Sequence, residues 1–216
     1  SDREILLPGA RHPLLVMTDR AVTPVDIELD PDTDLLVITG PNTGGKSVAL
    51  KTLGLSALMV QCGIPILAAA EARLPLFDQI FTDIGDRQNV ADDLSTFSGH
   101  VKNLGEILSA ASAASLVLLD EPGTGTDPED GAALARVLLD ELASRGSRTL
   151  ATTHFQTVKV AALAHPRTRV AAVDFAVRVA LGVVPEARAV AGAVAGVRRV
   201  VQGVAEFARR AHELPE

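Results

Sequence analysis

The sequence is poor in aromatic residues and in cysteine. Its 216 residues include six Phe, no Tyr and no Trp. A hydrophobic core must therefore be filled by Leu, Ile, Val and Ala, which is typical of parallel sheets covered on both faces. The single cysteine, Cys62, excludes an internal disulfide and is consistent with a reducing compartment. Because Cys62 lies in an apolar helical pattern, it is predicted to be a small buried side chain.

Membrane-length apolar runs and clusters of positive charge are also absent. No apolar run is long enough to span a bilayer and no secretory signal is visible, so we expect a cytoplasmic protein without membrane contact. The formal net charge is −7, divided into −10 up to Pro166 and +3 from Arg167 onward. This balance argues against a main DNA-binding surface, since phosphate neutralisation requires clustered Lys and Arg. The chain starts at Ser1 rather than Met, so we expect a segment of a longer protein.

Apolar runs alternate with helical patterns along the chain, which predicts an α/β domain with a mostly parallel sheet flanked by helices. Two early strands are expected to form a small antiparallel subsheet beside it. The predicted strands are 5–16, 25–29, 35–39, 66–70, 79–82, 116–119, 148–153 and 170–175. The predicted helices are 46–61, 97–111, 128–144 and 155–163. In the first helix, the predicted buried residues are Val48, Leu50, Leu53, Leu55, Leu58 and Met59.

The most informative feature that is present is a glycine-rich loop between the strand at 35–39 and the helix at 46–61. It consists of Gly40, Pro41, Asn42, Thr43, Gly44, Gly45, Lys46 and Ser47. In this context, G-x-x-x-x-G-K-[ST] binds nucleotide phosphates through inward-facing backbone amides and a helix N-terminus. Lys46 is predicted to reach the β- and γ-phosphates, and Ser47 to ligate Mg²⁺. The alternative is a glycine-rich turn without a ligand, which the motifs downstream disfavour.

Two acids follow the apolar strand at 116–119. Asp120 and Glu121 would lie at the carboxyl end of a buried parallel strand, where ligands bind in such sheets. Asp120 is predicted to hold the Mg²⁺ shell, and Glu121 to accept a proton from the attacking water. The alternative is a strand that ends in an ordinary acidic turn.

A histidine closes the next strand. His154 follows Thr152 and Thr153 and is predicted to hydrogen-bond the γ-phosphate. A lone histidine at a strand end is more often a surface or capping group. The order of glycine loop, acidic pair and histidine along the chain resembles that of ATP-binding-cassette ATPases. This order favours a phosphate-binding role for His154 over a surface or capping role.

The family resemblance depends on a segment between the glycine loop and the acidic pair. Ser95, Thr96 and Phe97 resemble the MutS-type counterpart of the cassette signature, whereas the Leu-Ser-Gly-Gly-Gln of transporter cassettes is missing. Thr43, Gln88, the triplet at 98–100 and the run at 120–128 together resemble the MutS-two branch rather than the mismatch-repair branch. The resemblance covers the chain from Arg3 to Phe175.

This resemblance implies a P-loop ATPase domain of the ATP-binding-cassette type at residues 1–175, with ATP and Mg²⁺ as cofactors. Two such domains would meet as a homodimer, and the nucleotide of one subunit would contact the signature of the other. The residues implied to act in trans are Ser95, Thr96, Phe97 and Ser98. Gln88 is implied to join the Mg²⁺ shell, and Thr124 and Asp127 to contact the partner. ATP binding and hydrolysis would drive a conformational change on branched DNA or stalled ribosomes, which domains absent from this chain would bind.

Two other functions remain open. The chain could be a nucleotide-binding interaction module that hydrolyses little in isolation. A transporter-type cassette is a third and weaker interpretation, because the signature differs.

The tail at 176–216 departs from the family pattern. From Val170 to Ala205, 22 of 36 residues are Ala or Val, and no helical period is sustained. Three interpretations are open: an Ala-rich helix, a weakly ordered tail, or a sequence that is out of frame after Phe175. We favour the third as a hypothesis, and the tail is therefore not interpreted as a DNA-binding segment.

Overall fold

A computed structural model of the chain describes residues 3–18, 21–41, 45–85, 93–172 and 180–181. Within 93–98 it describes the course of the backbone but not the side chains, and the same holds for 180–181. Several residues of the predicted site therefore lie outside the described residues: Asn42, Thr43, Gly44 and Gln88, with the side chains of Ser95, Thr96, Phe97 and Ser98. Positions 173–175 and the tail other than 180–181 also lie outside them.

A mixed sheet forms the centre of the molecule, as the alternating pattern predicts. The strands are β1 (Ile5–Ala10), β2 (Val25–Leu29), β3 (Leu35–Thr39), β4 (Gln79–Asp83), β5 (Ser115–Asp120), β6 (Arg148–Thr152), β7 (Thr168–Ala172) and β8 (Ala180–Leu181). The central sheet has the order β4-β5-β6-β3-β7-β8. Its first five strands are parallel, and β8 pairs antiparallel to β7. The strands β3, β5 and β6 are buried almost throughout, as apolar runs covered on both faces should be.

Helices cover both faces of this sheet. They are α1 (Pro13–Val16), α2 (Lys46–Gln61), α3 (Asp93–Ala110), α4 (Pro128–Ser144) and α5 (Gln156–Ala164). One core combines α2, the small β1–β2 sheet and one set of central side chains, among them Leu36 and Leu118. The other core combines α3, α4 and α5 with the alternate set, among them Val37 and Leu119. No helix in these described ranges is long and apolar enough to cross a membrane.

The small antiparallel sheet is confirmed, but its neighbourhood differs from the prediction. β1 pairs with β2, with Ile5 opposite Leu29. The strand predicted to reach residue 16 ends at Ala10, because Pro13 begins the helical turn α1. The strand predicted at 66–70 is wrong. That segment makes only separate hydrogen bonds along the edge of β1, such as Ala69 N to Pro8 O at 2.9 Å.

The helix α2 has the predicted bounds but buries a different face. Leu50 and Leu53 are fully buried as predicted, whereas Val48 is 38% exposed and Leu58 48%. Small residues occupy the buried face in their place, since a Cβ on Gly54 would lie 2.8 Å from Leu118 Cδ1. The predicted burial of Cys62 is also wrong. It is exposed, because the helix ends at Gln61 and Cys62 only caps it.

The helix α3 begins earlier than the sequence pattern suggests. It starts at Asp93, so Ser95 and Phe97 lie inside its first turns rather than before it. An acidic residue suits the positive end of a helix, and no Gly or Pro interrupts 93–98. The signature is therefore part of a regular helix. Its apolar face, with Leu104, Ile107 and Leu108, is buried as predicted.

The amino-terminal edge of the sheet is held by a buried arginine. Arg148 is 1% exposed and donates to the backbone carbonyls of Arg3, Leu29, Asp30 and Thr33. Burial lowers the pKa of Arg148 to about 10, so the guanidinium is still charged at neutral pH. These four backbone carbonyls thus accept hydrogen bonds from one guanidinium, at the edge of the sheet opposite the predicted nucleotide site.

Candidate active site

The described residues of the predicted glycine loop, acidic pair and histidine gather at the carboxyl edge of the parallel sheet. In the sheet register, Thr152 lies opposite both Ile38 and Asp120. The strands β3, β5 and β6 therefore end at the same level. The segments that follow them begin with Gly40, Glu121 and Thr153, and they start side by side. This edge is where open parallel sheets bind ligands.

The glycine loop leads directly into α2. Gly45 caps the helix with φ of 79°, in the left-handed region that glycine adopts without strain. Lys46 is the first helical residue and is 2% exposed, and its Nζ donates to Gly40 O at 2.6 Å. Ser47 follows in the first turn and is half-buried, while Pro41 is exposed. The Lys46 amine therefore lies against the backbone of Gly40, the first residue of the glycine loop.

The acidic pair is held by Thr152, whose role no sequence motif indicates. Thr152 Oγ1 donates to Asp120 Oδ1 at 2.6 Å and accepts from Glu121 N at 2.9 Å. One hydroxyl therefore orients the side chain of one acid and the backbone of the other. The only signal in the sequence is a hydroxyl residue at the end of a neighbouring strand, and its importance depends on the strand register.

Glu121 has an unusual backbone conformation. Its φ is 53°, in the left-handed region that is uncommon for a residue with a side chain. The Thr124 hydroxyl donates to Glu121 O at 2.9 Å, which supports this turn. Non-glycine residues in this region cluster at functional sites, where the surrounding structure holds the strain.

The Glu121 carboxylate lies between two nitrogen-bearing side chains. Lys46 Nζ is 3.4 Å from Oε1, and His154 Nδ1 is 3.4 Å from Oε2. Glu121 is 8% exposed, whereas the His154 side chain is 51% exposed and its ring contacts Phe155. The structure thus brings together Lys46, Glu121 and His154, three of the residues predicted to act on the nucleotide or on the attacking water. Two of the three are buried, so their electrostatic interactions are screened less than at the surface.

The oxygen-bearing side chains at this edge are of the kind that Mg²⁺ prefers. The Asp120 carboxylate is half-buried and anchored by Thr152, and Ser47 offers a hydroxyl in the first turn of α2. The described residues contain no group of three or more His, Cys, Asp or Glu side chains that could enclose a metal. Mg²⁺ does not require such a group, because it keeps several waters and takes only one or two protein oxygens beside substrate phosphates.

The loop after the acids packs tightly on α4. A Cβ on Gly123 would overlap the carbonyl oxygen of Gly131 in the helix, so the two backbones touch. Asp127 caps α4 by accepting from Glu129 N at 2.9 Å. Within this chain, Thr124 and Asp127 thus make local hydrogen bonds, and their contact with a partner stays a prediction.

The chain matches a family model and many curated proteins. Residues 36–206 match the family model described as MutS domain V. This match continues past Phe175, where the motif resemblance was expected to end. The chain is 54% identical over 165 residues to the Endonuclease MutS2 of Pelotomaculum thermopropionicum, a match that covers 76% of this chain and 21% of the relative.

Two further relatives carry the same name. The protein of Caldicellulosiruptor saccharolyticus is 51% identical over 174 residues, covering 81% of this chain and 22% of the relative. The protein of Gemmatimonas aurantiaca is 49% identical over 152 residues, covering 70% and 19%. The chain thus spans about a fifth of the length of the curated relatives that it matches.

Proposed function

Because this chain belongs to the MutS family and carries its domain V, a domain of an ATPase family, we propose that it binds and hydrolyses ATP with Mg²⁺. In this proposal the fold is a P-loop ATPase of the ATP-binding-cassette type, and the nucleotide lies over the carboxyl edge of the sheet. One observation carries the proposal: Lys46 Nζ and His154 Nδ1 each lie 3.4 Å from an oxygen of the buried Glu121 carboxylate.

Each of these residues has a distinct role in the proposal. Lys46 and the amino-terminal end of α2 hold the phosphates, since both present positive charge. Glu121 accepts a proton from the attacking water, and Thr152 keeps that carboxylate oriented through the Glu121 backbone. His154 hydrogen-bonds the γ-phosphate from the end of β6.

The metal would be held at the same edge. Ser47 and Asp120 are the proposed Mg²⁺ ligands in the described part of the chain, and Gln88 is a further one. Bound Mg²⁺ supplies neutralisation of the phosphate charge. Most of the rate enhancement would then come from positioning and electrostatics.

The biological role proposed for the longer protein follows from dimerisation. Two copies would meet as a homodimer, with Ser95, Thr96, Phe97 and Ser98 of one completing the site of the other. Closure of the dimer would drive a conformational change on branched or recombining DNA or on stalled ribosomes, in the cytoplasm. The word endonuclease in the relatives' names describes proteins about five times as long as the matched part. No nuclease activity is proposed for this chain.

The test is the substitution Glu121→Gln. It removes the proposed base but keeps the size of the side chain, so ATP affinity should stay within about twofold while hydrolysis falls by about 10²-fold or more. Binding is measured with a fluorescent ATP analogue, and turnover by phosphate release. Glu129→Gln, on the exposed first turn of α4, is the matched control and should change neither quantity. Unchanged hydrolysis in Glu121→Gln would contradict the proposal.

A second function, a nucleotide-binding module with little hydrolysis, is favoured by one observation. Both Glu121 oxygens are directed at side chains of their own chain, Lys46 and His154, which competes with contact to a water molecule. In that case the unsubstituted chain would bind ATP but release phosphate no faster than Glu121→Gln.

A further inference from the structure

A polar cluster lies beside the proposed nucleotide site and joins the sheet to α3. Asp83 is the last residue of β4, and in the register of the sheet it lies opposite Leu119, the residue before Asp120. Its side chain is 10% exposed. A nearly buried carboxylate therefore stands at the carboxyl edge, one strand away from the acidic pair.

Two residues of α3 contact this carboxylate. His100 Nδ1 lies 3.0 Å from Asp83 Oδ1 and 3.2 Å from Oδ2. Asn103 Nδ2 donates to Asp83 Oδ1 at 2.9 Å, and it also lies 3.3 Å from Thr82 O. Since residues three apart share one helix face, both side chains reach the end of β4 from the same side.

The contacts in this cluster are hydrogen bonds, and hydrogen bonds have a preferred direction. An ionised carboxylate only accepts hydrogen bonds, so His100 must carry its proton on Nδ1 to donate. The Cε1–Nε2 side of the imidazole lies beside Gly85, where a Cβ would lie 3.4 Å from His100 Cε1. The apolar contacts of α3, from Leu104 and Ile107, are non-directional, whereas these bonds fix both the rotation and the height of the helix.

We propose that Asp83, His100 and Asn103 form a positioning clamp that sets where the amino-terminal half of α3 lies relative to the carboxyl edge. That half contains 95–98, so the clamp governs how the signature is presented to a partner's nucleotide. It does not govern nucleotide binding within the same chain. This inference rests on the proposed ATPase function, and it adds three positioning residues to it.

The test compares three variants of the full chain. His100→Ala removes the contacts to both carboxylate oxygens, His100→Gln restores one donor, and Lys102→Ala is the control. Lys102 lies on the same helix with 72% of its side chain exposed, and its ion-pair contact within the described part of the chain is to Glu106 at 4.0 Å. The readouts are amide hydrogen exchange without nucleotide, ATP affinity, and the kcat and KM of phosphate release.

For His100→Ala we expect amides of α3 to exchange about tenfold faster, as loss of a hydrogen bond to a charged group predicts, with α4 unchanged. ATP affinity and KM should stay within about twofold while kcat falls about tenfold. His100→Gln should recover part of kcat, and Lys102→Ala should match the unsubstituted chain. A general loss of stability would instead accelerate exchange throughout and weaken ATP binding together with kcat.

Two results would overturn the clamp. One is α3 exchange in His100→Ala equal to that in Lys102→Ala. The other is faster α3 exchange with unchanged kcat. Failure of the ATPase proposal has a different signature, because the unsubstituted chain would then release no phosphate at all. In that case the predicted effect of the clamp on kcat is also wrong, whatever the hydrogen-exchange data show for α3.

Discussion

Two glycines determine the path of the loop that follows the acidic pair. Gly123 has φ of 83° and its backbone touches that of Gly131, so a methyl group has no space on either residue. Gly123→Ala should lower the free energy of unfolding by about 3 kcal/mol, since the two backbones must separate. Urea denaturation measures the change.

The matched control is another glycine with free space. Gly99→Ala in α3 places a Cβ where, apart from its chain neighbours and the backbone of its own helix, no atom of the described residues lies within 4 Å. Because alanine favours a helix over glycine, this variant should gain about 0.5 to 1 kcal/mol. Equal effects of the two substitutions would show that the contact with Gly131 is not the reason for the loss.

His12 makes the stability depend on pH. It is 8% exposed, and its Nδ1 has no hydrogen-bond partner among the described residues. Burial, and then the charge of Lys51, lower the pKa of His12 below its ordinary 6.5. Below that value the unfolded chain binds a proton that the folded chain resists, so stability is complete above it and falls as the pH decreases toward the lowered pKa.

The variant His12→Gln removes this titration. Between pH 7.5 and pH 5, the unsubstituted chain should therefore lose more of its unfolding free energy than His12→Gln loses. Urea titrations at the two pH values give the comparison. Parallel losses in the two proteins would assign the acid sensitivity to other groups.

At the scale of the element, α2 provides a paired test of its buried face. Leu53 is fully buried beneath the sheet, and Leu58, just over one turn later, is 48% exposed. Leu53→Ala should cost about 3 kcal/mol because it leaves a cavity, whereas Leu58→Ala should stay within about 0.5 kcal/mol. Thermal and urea unfolding distinguish the two. Equal losses would favour the face that the sequence pattern predicts.

Most element bounds could be predicted where local chemistry determines them. α4 has the predicted range because Pro128, Asp127 and Gly146 act through their own backbone and caps. The strand predicted at 66–70 failed for the opposite reason. Its backbone hydrogen bonds depend on which donors and acceptors are unpaired along the edge of β1, and the local sequence of 66–70 contains no information about that edge. The exposed Leu58 is similar, since the sheet admits Gly54 and Ala57 at close range and leaves the larger side chain outside.

At the scale of the whole molecule, the sequence predicted which residues meet at the carboxyl edge of the sheet, but not the side chains that hold this edge and α3 in position. The glycine loop and the acidic pair each contain their own signal, and parallel strands bring their ends together by topology. Thr152 contacts Asp120 because the two residues lie opposite each other in the sheet register. Asp83 contacts His100 and Asn103, which follow it by 17 and 20 residues in the chain. Such contacts are decided by the assembled sheet. The contacts of Thr152 with the acidic pair and of Asp83 with α3 therefore became visible only in the structure.

The proposed composite site makes a prediction for mixtures of inactive chains. Lys46→Ala should disable the phosphate loop, and Ser95→Asp should place a negative charge opposite the partner's phosphates. If the loop and the signature of one site come from different subunits, a heterodimer of the two variants retains one intact site. An equimolar mixture of a freely exchanging two-fold dimer should then recover about a quarter of the unsubstituted activity.

The measurement is phosphate release from each variant alone and from the mixture, with sedimentation in ATP analogue to verify that heterodimers form. A mixture of Lys46→Ala with Glu121→Gln is the control, because both changes lie on the cis side and no heterodimer contains an intact site. It should stay inactive. If the first mixture also stays inactive although heterodimers form, Ser95 acts within its own chain, and the proposed role of the α3 clamp toward a partner's nucleotide is then contradicted.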